Sequence, residues 1–300
     1  MIDDNRTNAP FSLDHIFLTR FNLPSQGFES LVRAQEGWLR ERIGLFERHC
    51  LPSMKAQTNQ DFHWIIYFDP ESPVWLLDRI EQLNRDRTFV PLFRTAVSPS
   101  ELLQDIQAEV RGDRQLLLTT NLDNDDGLAV DFVERLQKAA GGEGSTAIYL
   151  ASGLVKGNGS VFLRHDPSNA FCSVSTHWSA PVTCWAAWHN MLGHSMNVRT
   201  LHGSPAWLQV VHDHNVSNRI RGRRVDPEPY RRLFHGLLED VPSPGLQTII
   251  VDRIFESPLR VLRELARTTA KAITVALLGR QGIDRIKTAV AGRKSTISGP

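Results

Sequence analysis

Most of the features that announce a chemistry outright are missing from this chain. Its 300 residues hold only three cysteines, Cys50, Cys172 and Cys184, widely spaced and with no CxxC pair. That excludes a zinc ribbon or a disulfide scaffold, and the three are expected to be reduced, buried thiols of a cytoplasmic protein. No apolar run is long enough to cross a bilayer; the most apolar late stretch, 272–279, is far too short. The first residues are polar and acidic rather than basic and then apolar, so a secretory signal is not expected. A net charge of +1 gives no electrostatic case for a nucleic-acid partner. No internal repeat at a fixed period is present.

What is present is an alternation of short apolar runs and amphipathic stretches. His15–Thr19, Phe62–Phe68, Phe89–Phe93 and Gln115–Thr120 read as strands, the third near a sheet edge because of Pro91. Between them lie helical signals. Leu39, Ile43, Phe46 and Cys50 form a stripe that Pro52 is expected to end. Ser72-Pro73 is expected to open a helix with Ser as cap. Ser98-Pro-Ser-Glu101 has the capping-box spacing before Leu102, Ile106 and Val110. Repeated β-α-β units predict an α/β fold with a mixed, mostly parallel sheet flanked by helices. Beyond residue 148 the order is less regular, with strands expected at Ala147–Leu150, Ser160–Leu163, Ala170–Val174 and Trp207–Val211. The one linker signal, Val241-Pro-Ser-Pro-Gly245, predicts a main domain over 1–242 and a basic helical extension over 243–300.

The fourth strand ends in Asn121-Leu-Asp-Asn-Asp-Asp126, three carboxylates within four positions. Such crowding is costly unless a cation or solvent relieves it, and oxygen-rich clusters suit Mg2+ or Mn2+. At the carboxyl end of a strand in an open α/β sheet, the cluster stands where these sheets bind ligands. A calcium loop is a poor alternative: Gly127 falls one place early and Leu128 stands where the turn glycine is required. Asp131-x-x-Glu134 has capping-box spacing and accounts for Glu134 without calcium.

Taken in order, four segments resemble a bacterial rhamnosyltransferase family of GT-A-fold, nucleotide-sugar-dependent glycosyltransferases. They are His15–Asn22, Leu45–Met54, Leu117–Asp126, and Trp207–His212 with Asn215–Arg219; the likeness covers residues 10–225. It departs at Asn121, where a basic residue is expected, and at Asp213-His214, where small residues are more usual. The resemblance implies a divalent metal on the acidic motif bridging a donor diphosphate, plausibly of dTDP-rhamnose. It implies Asp125 as a direct ligand, Asp123 as a ligand or a ribose contact, and His212 completing the metal site. Asp69 is implied to accept from the nucleotide base, Thr19 and Arg20 to line the same pocket, and Arg219, with Arg221, Arg223 and Arg224, either to clasp phosphate or to form a solvated loop.

The acceptor half carries an absence of its own. Between Asp166 and Asp213 there is no acidic residue, only histidines and tryptophans, including His177, His189, His194 and His202. An inverting transfer needs a general base, which leaves Asp213 or a histidine, with His202 preferred. The acceptor is expected to be a glycan or a lipid-linked sugar. From Gly245 the chain carries Arg253, Arg260, Arg263, Arg267, Lys271, Arg280, Arg285 and Lys287 among apolar residues. That pattern is either a packing helix with a solvated basic face or a peripheral contact with the inner face of the membrane. The alternative to a transferase is a nucleotidyltransferase or a non-catalytic nucleotide-binding protein on the same scaffold. The first of these wants a Gly-rich phosphate loop after strand one, where this chain has Asn22-Leu-Pro-Ser25.

Overall fold

A computed structural model describes residues 12–24, 37–110, 113–142, 144–212, 219–266 and 269. The elements run β1 (Leu13–Arg20), α1 (Trp38–Leu45), a π-helical turn (Phe46–Cys50), α2 (Leu51–Lys55), β2 (His63–Phe68), α3 (Val74–Leu83), β3 (Val90–Phe93), α4 (Pro99–Glu109) and β4 (Leu116–Asn121). They continue with β5 (Gly127–Leu128), α5 (Phe132–Ala139), β6 (Thr146–Leu150), β7 (Ser152–Gly157), β8 (Ser160–His165), β9 (Ser173–His177), β10 (Asn197–Leu201), β11 (Trp207–Val210), β12 (Arg223–Val225) and α6 (Leu246–Val251). The expected α/β architecture is present. The main sheet has the order β10-β6-β9-β4-β1-β2-β3, parallel except for β9. A second sheet, β12-β8-β7-β11-β5, is antiparallel apart from the β7–β11 pair.

Strand periodicity explains the core. In β1, Phe17 packs on one face of the main sheet with Trp64, Ile66, Phe68 and Leu118, while Ile16 and Leu18 pack on the other with Ile65, Tyr67 and Leu117. Both faces are covered, so the strands read as unbroken apolar runs rather than as alternating ones. A third apolar cluster, around Leu208, Val210, Phe234 and Leu237, lies under the second sheet. Cys50, Cys172 and Cys184 are buried free thiols.

Several local expectations are corrected. Pro52 does not end its helix; helical backbone continues to Lys55 through the π turn at 46–50. The wider i→i+5 turn leaves proline at the start of a new α segment, where its missing N–H is not needed. Pro73, not Ser72, is the N-cap of α3, and the Ser72 hydroxyl donates to the Asp69 carbonyl instead. Asp131 occupies the N-cap of α5 without a capping bond, and Glu134 pairs with Lys138. The Ser98–Glu101 capping box is formed in both directions. β9 begins at Ser173 rather than Ala170 because Asn169 caps the approach, accepting from the Phe171 amide and donating to the Leu150 carbonyl. β7 carries Gly153 and Gly157, residues that in the sequence read as loop rather than strand.

His15, in the middle of the first sheet, is 1% exposed; its Nε2 lies 2.9 Å from Thr120 Oγ1. Burial pulls its pKa from 6.5 down to about 3, against a smaller upward pull from Asp61. A folded pKa below the unfolded one contributes stability that is complete above pH 6.5 and lost as the pH falls toward 3. At about 1.4 kcal/mol per unit, the loss approaches ~5 kcal/mol. Urea midpoints measured from pH 7 down to pH 4 are therefore expected to fall, and to fall less steeply in His15→Gln. Parallel pH profiles for the two proteins would refute this assignment.

Candidate active site

The parallel strands β1, β2, β3, β4, β6 and β10 all end at one edge, and the acidic loop leaves β4 at that edge. The loop is tied down by its own residues. Asn124 donates through Nδ2 to the Phe21 carbonyl at 2.8 Å, joining it to the end of β1. Asp126 accepts the Val210 amide through Oδ1 at 2.8 Å, joining it to the end of β11. β5 then pairs Gly127 with Leu208, and a Cβ on Gly127 would stand 2.7 Å from Leu237 Cδ1. Packing against Leu237 therefore accounts for that glycine.

The three carboxylates, adjacent in sequence, meet three different environments. Asp123 is exposed at the mouth. Asp126 is wholly buried, and burial together with the negative charges of Asp125 and Asp123 pushes its pKa well above the usual carboxylate range. Asp125 is 3% exposed. Burial alone would raise it, but the hydrogen bond to His212 and the Arg42 guanidinium reverse that and hold it below the usual range. The crowding noted in the sequence is thus relieved at Asp125 by Arg42 and His212.

Around Asp125 the side chains form a chain of contacts. Arg42 Nη1 donates to Asp125 Oδ2 at 2.7 Å and to Asn124 Oδ1 at 3.1 Å, and the guanidinium lies 5.0 Å over the Trp38 ring. His212 Nε2 is 3.2 Å from the same Oδ2, and its Nδ1 is 3.1 Å from Glu41 Oε1. Glu41 and Arg42 are neighbours on α1, the first contacting His212 and the second Asp125.

The residues present fit a divalent cation in part. Two ligands on adjacent octahedral positions at ~2.1 Å from an ion stand about 3 Å apart, close to the 3.2 Å between Asp125 Oδ2 and His212 Nε2. A ligand histidine usually gives its second nitrogen to a carboxylate, the position Glu41 occupies. Among the described residues no group of three or more His, Cys, Asp and Glu stands ready to hold an ion by itself. Mg2+-type sites commonly rely on one or two carboxylates and take the rest of their shell from substrate phosphates.

Other sequence candidates are scattered. Asp69 ends β2 at the same edge, two strands from β4, with its Oδ1 accepting the Glu71 amide in a local turn. Thr19 does not line a pocket: it is fully buried, donating to the Leu122 carbonyl and accepting from Trp64 Nε1. Arg20 is exposed at the edge, its guanidinium 3.8 Å over Trp185, whose Nε1 donates to Asn121. His202 follows β10, three strands from β4 and so roughly 14 Å across the sheet. It is exposed and stacked on His165 with ring centroids 5.5 Å apart. Arg219 is exposed, while Arg221 pairs with Glu264 and the Arg224 amide donates to Asp252, which turns this stretch toward the C-terminal helix. Asp213 lies outside the described residues.

Glu41, Arg42 and Asn124 were not legible as site residues. In the sequence Arg42 and Glu41 flank the apolar stripe of α1 and look like ordinary solvated charges, and Asn124 carries no signal of its own within the acidic run.

Comparison with family models agrees with the resemblance noted in the sequence. A family model described as "Putative rhamnosyl transferase" matches residues 14–224. No curated protein matches the chain. Among solved structures, Staphylococcus aureus TarS 1–349 in complex with UDP aligns at 8% identity over 78% of this chain and 68% of that one, with a TM-score of 0.40. Another S. aureus TarS structure aligns at 10% identity over 67% of this chain, with a TM-score of 0.39, and the chain spans 37% of it. A "putative nucleotide-diphospho-sugar transferase" from Desulfovibrio desulfuricans G20 aligns at 10% identity, covering 67% of this chain and 82% of that one, with a TM-score of 0.34. These structural likenesses are distant.

Proposed function

Because the chain belongs to the putative rhamnosyl transferase family, we propose that it is a glycosyltransferase. It takes a sugar, rhamnose in the reading the family suggests, from a nucleoside diphosphate donor such as dTDP-rhamnose and passes it to a glycan or lipid-linked acceptor. The observation that carries this reading is the Glu41–His212–Asp125–Arg42 array at the carboxyl edge of the main sheet.

In this proposal Asp125 and His212 hold a divalent cation, Mn2+ or Mg2+, with Asp123 at the mouth as a further ligand or a ribose contact. The cation supplies charge stabilisation to the departing diphosphate. Glu41 fixes the His212 ring so that Nε2 faces Asp125. Asp126 holds the loop to β11 and takes no part in binding. Arg20 and Asp69 flank the nucleoside at the same edge, and Arg219 lies beside the phosphates. The general base is Asp213 or His202; alanine at each, assayed for turnover, separates them, and full activity in both would reject the pair.

Thermal shift tests the donor and the metal together. A ligand at 100 times its dissociation constant stabilises by about 2.7 kcal/mol, or about 5–11 °C for a chain of this size. dTDP with Mn2+ is expected to give that shift, dTDP without metal much less, and ATP little in either case. No metal-dependent shift with any nucleoside diphosphate would refute the proposal.

The C-terminal segment adds a surface contact. No helix among the described residues is long and apolar enough to cross a membrane. One side of the helical run after Gly245 packs through buried Asp252, which accepts from Arg260 and the Arg224 amide. The other side exposes Leu246, Ile250, Ile254, Phe255 and Leu262, with Leu246 at 79% and Phe255 at 62%. Arg267 and the later basic residues lie outside the described residues. Apolar exposure followed by basic excess suits an anionic bilayer surface next to a lipid-linked acceptor. Full-length protein is expected to float with anionic vesicles, and a Phe255→Ser, Leu262→Ser double variant to float much less; equal flotation would remove the membrane from the proposal.

A further inference from the structure

Arg42 occupies the place at Asp125 that a divalent cation would need. Its Nη1 is 2.7 Å from Oδ2, the oxygen that also faces His212. Two cations cannot share one carboxylate oxygen at contact distance without strong repulsion. Nor is Arg42 needed to keep the acidic loop in place, because Asn124 anchors it to the Phe21 carbonyl and Asp126 anchors it to the Val210 amide. The Arg42 side chain is 17% exposed against 5% for Asp125, so of the two it is the more accessible to an arriving donor. Its planar fork is the side-chain geometry best suited to phosphate oxygens.

From this arrangement we infer that Arg42 is a resident counter-cation that exchanges partners when donor binds. In the free protein it neutralises Asp125; when metal and nucleoside diphosphate enter together, Arg42 releases Asp125 to the metal and pairs with the diphosphate. This rests on the metal reading proposed above. Its consequence is reciprocal coupling: metal alone binds weakly because it must displace Arg42, and the diphosphate that attracts Arg42 away strengthens the metal. The same exchange keeps Asp125 from standing as an unpaired buried charge between turnovers. Arg42 is thereby a donor-binding residue that also sets the order in which metal and nucleotide are held.

Titration calorimetry with Mn2+ alone, with dTDP alone, and with dTDP in saturating Mn2+ tests this on the full-length protein. Arg42→Met keeps an unbranched apolar side chain and removes the charge and the fork. It is expected to bind Mn2+ alone about fivefold or more tighter than wild type, and dTDP in Mn2+ about tenfold weaker, the usual span of a site-to-site coupling. Mn2+ affinity that is unchanged or weaker in Arg42→Met overturns the exchange. Arg42→Lys, which keeps the charge and loses the fork, carries the test if the Met variant does not fold. It is expected to bind Mn2+ alone as wild type does and dTDP in Mn2+ a few-fold weaker; unchanged dTDP affinity overturns the exchange. Asp125→Asn separates the two levels. Loss of Mn2+-dependent dTDP binding in that variant upholds the metal reading, so a failure of the Arg42 arms alone then falls on the exchange. Retained Mn2+-dependent dTDP binding overturns the metal reading, and the exchange with it.

Discussion

Asp125→Asn is expected to lower sugar transfer by about two to three orders of magnitude, the usual cost of removing one group that stabilises transition-state charge, while leaving the fold intact. Asparagine keeps the shape and a hydrogen-bonding oxygen for Arg42 and His212, so the loop should hold. What it removes is the one fully paired negative charge in the acidic run. The two neighbouring carboxylates supply the contrast. Asp126 is wholly buried and its pKa is pushed up by burial and by the charges beside it, so Asp126→Asn, which keeps the shape and the oxygen that accepts the Val210 amide, should retain most activity. Asp123 is exposed at the mouth, and Asp123→Asn should fall between the two. The check is kcat for the three variants alongside their melting temperatures. An equal loss across all three, or a larger loss at Asp126 than at Asp125, would mean that the charge is not concentrated where the structure places it.

A single methyl group at residue 153 should do nearly as much damage by a different route. A Cβ on Gly153 would sit 2.0 Å from Trp207 Cδ2 and 2.2 Å from Cε2 and Cε3. The indole has little room to yield, because it stacks on Phe171 with centroids 5.1 Å apart and donates through Nε1 to the Leu150 carbonyl. Overpacking of this kind costs ~3 kcal/mol or more, a fall of about 6–12 °C in melting temperature for a domain of this size. Trp207 opens β11, whose last residue, Val210, is held by Asp126 and stands two positions before His212. Gly153→Ala should therefore lose metal affinity as well as stability. Adding Trp207→Leu should restore part of the melting temperature, since the two changes share one contact. Wild-type melting of Gly153→Ala would show that the close approach is not what requires glycine there.

That glycine also explains one of the gaps in the sequence reading. β7 carries Gly153 and Gly157, the second placed where a Cβ would meet Ile220 and Val211 at 3.2 Å. Glycines required by a neighbour on another strand look, in one dimension, like loop residues. β9 was displaced for a related reason, as the Asn169 side chain makes bonds that a ladder would otherwise make. In the first half of the chain such interference is rare, and the runs at His15, Phe62 and Gln115 correspond closely to β1, β2 and β4.

The sequence by itself determined the α/β alternation, the placement of the carboxylates at the end of a strand, and, through four ordered segments, the family. These are local properties, carried by apolar periodicity and by residues that must follow a strand in direct succession. Only the tertiary structure decided which carboxylate bears the charge. Asp125 and Asp126 are adjacent in the chain, yet the pKa of the first is held down and that of the second is pushed well up. The difference comes from Arg42, 83 positions upstream, and His212, 87 positions downstream. A carboxylate's state is set by the dielectric and by the charges within a few ångströms, and in a parallel sheet those neighbours arrive from distant parts of the chain.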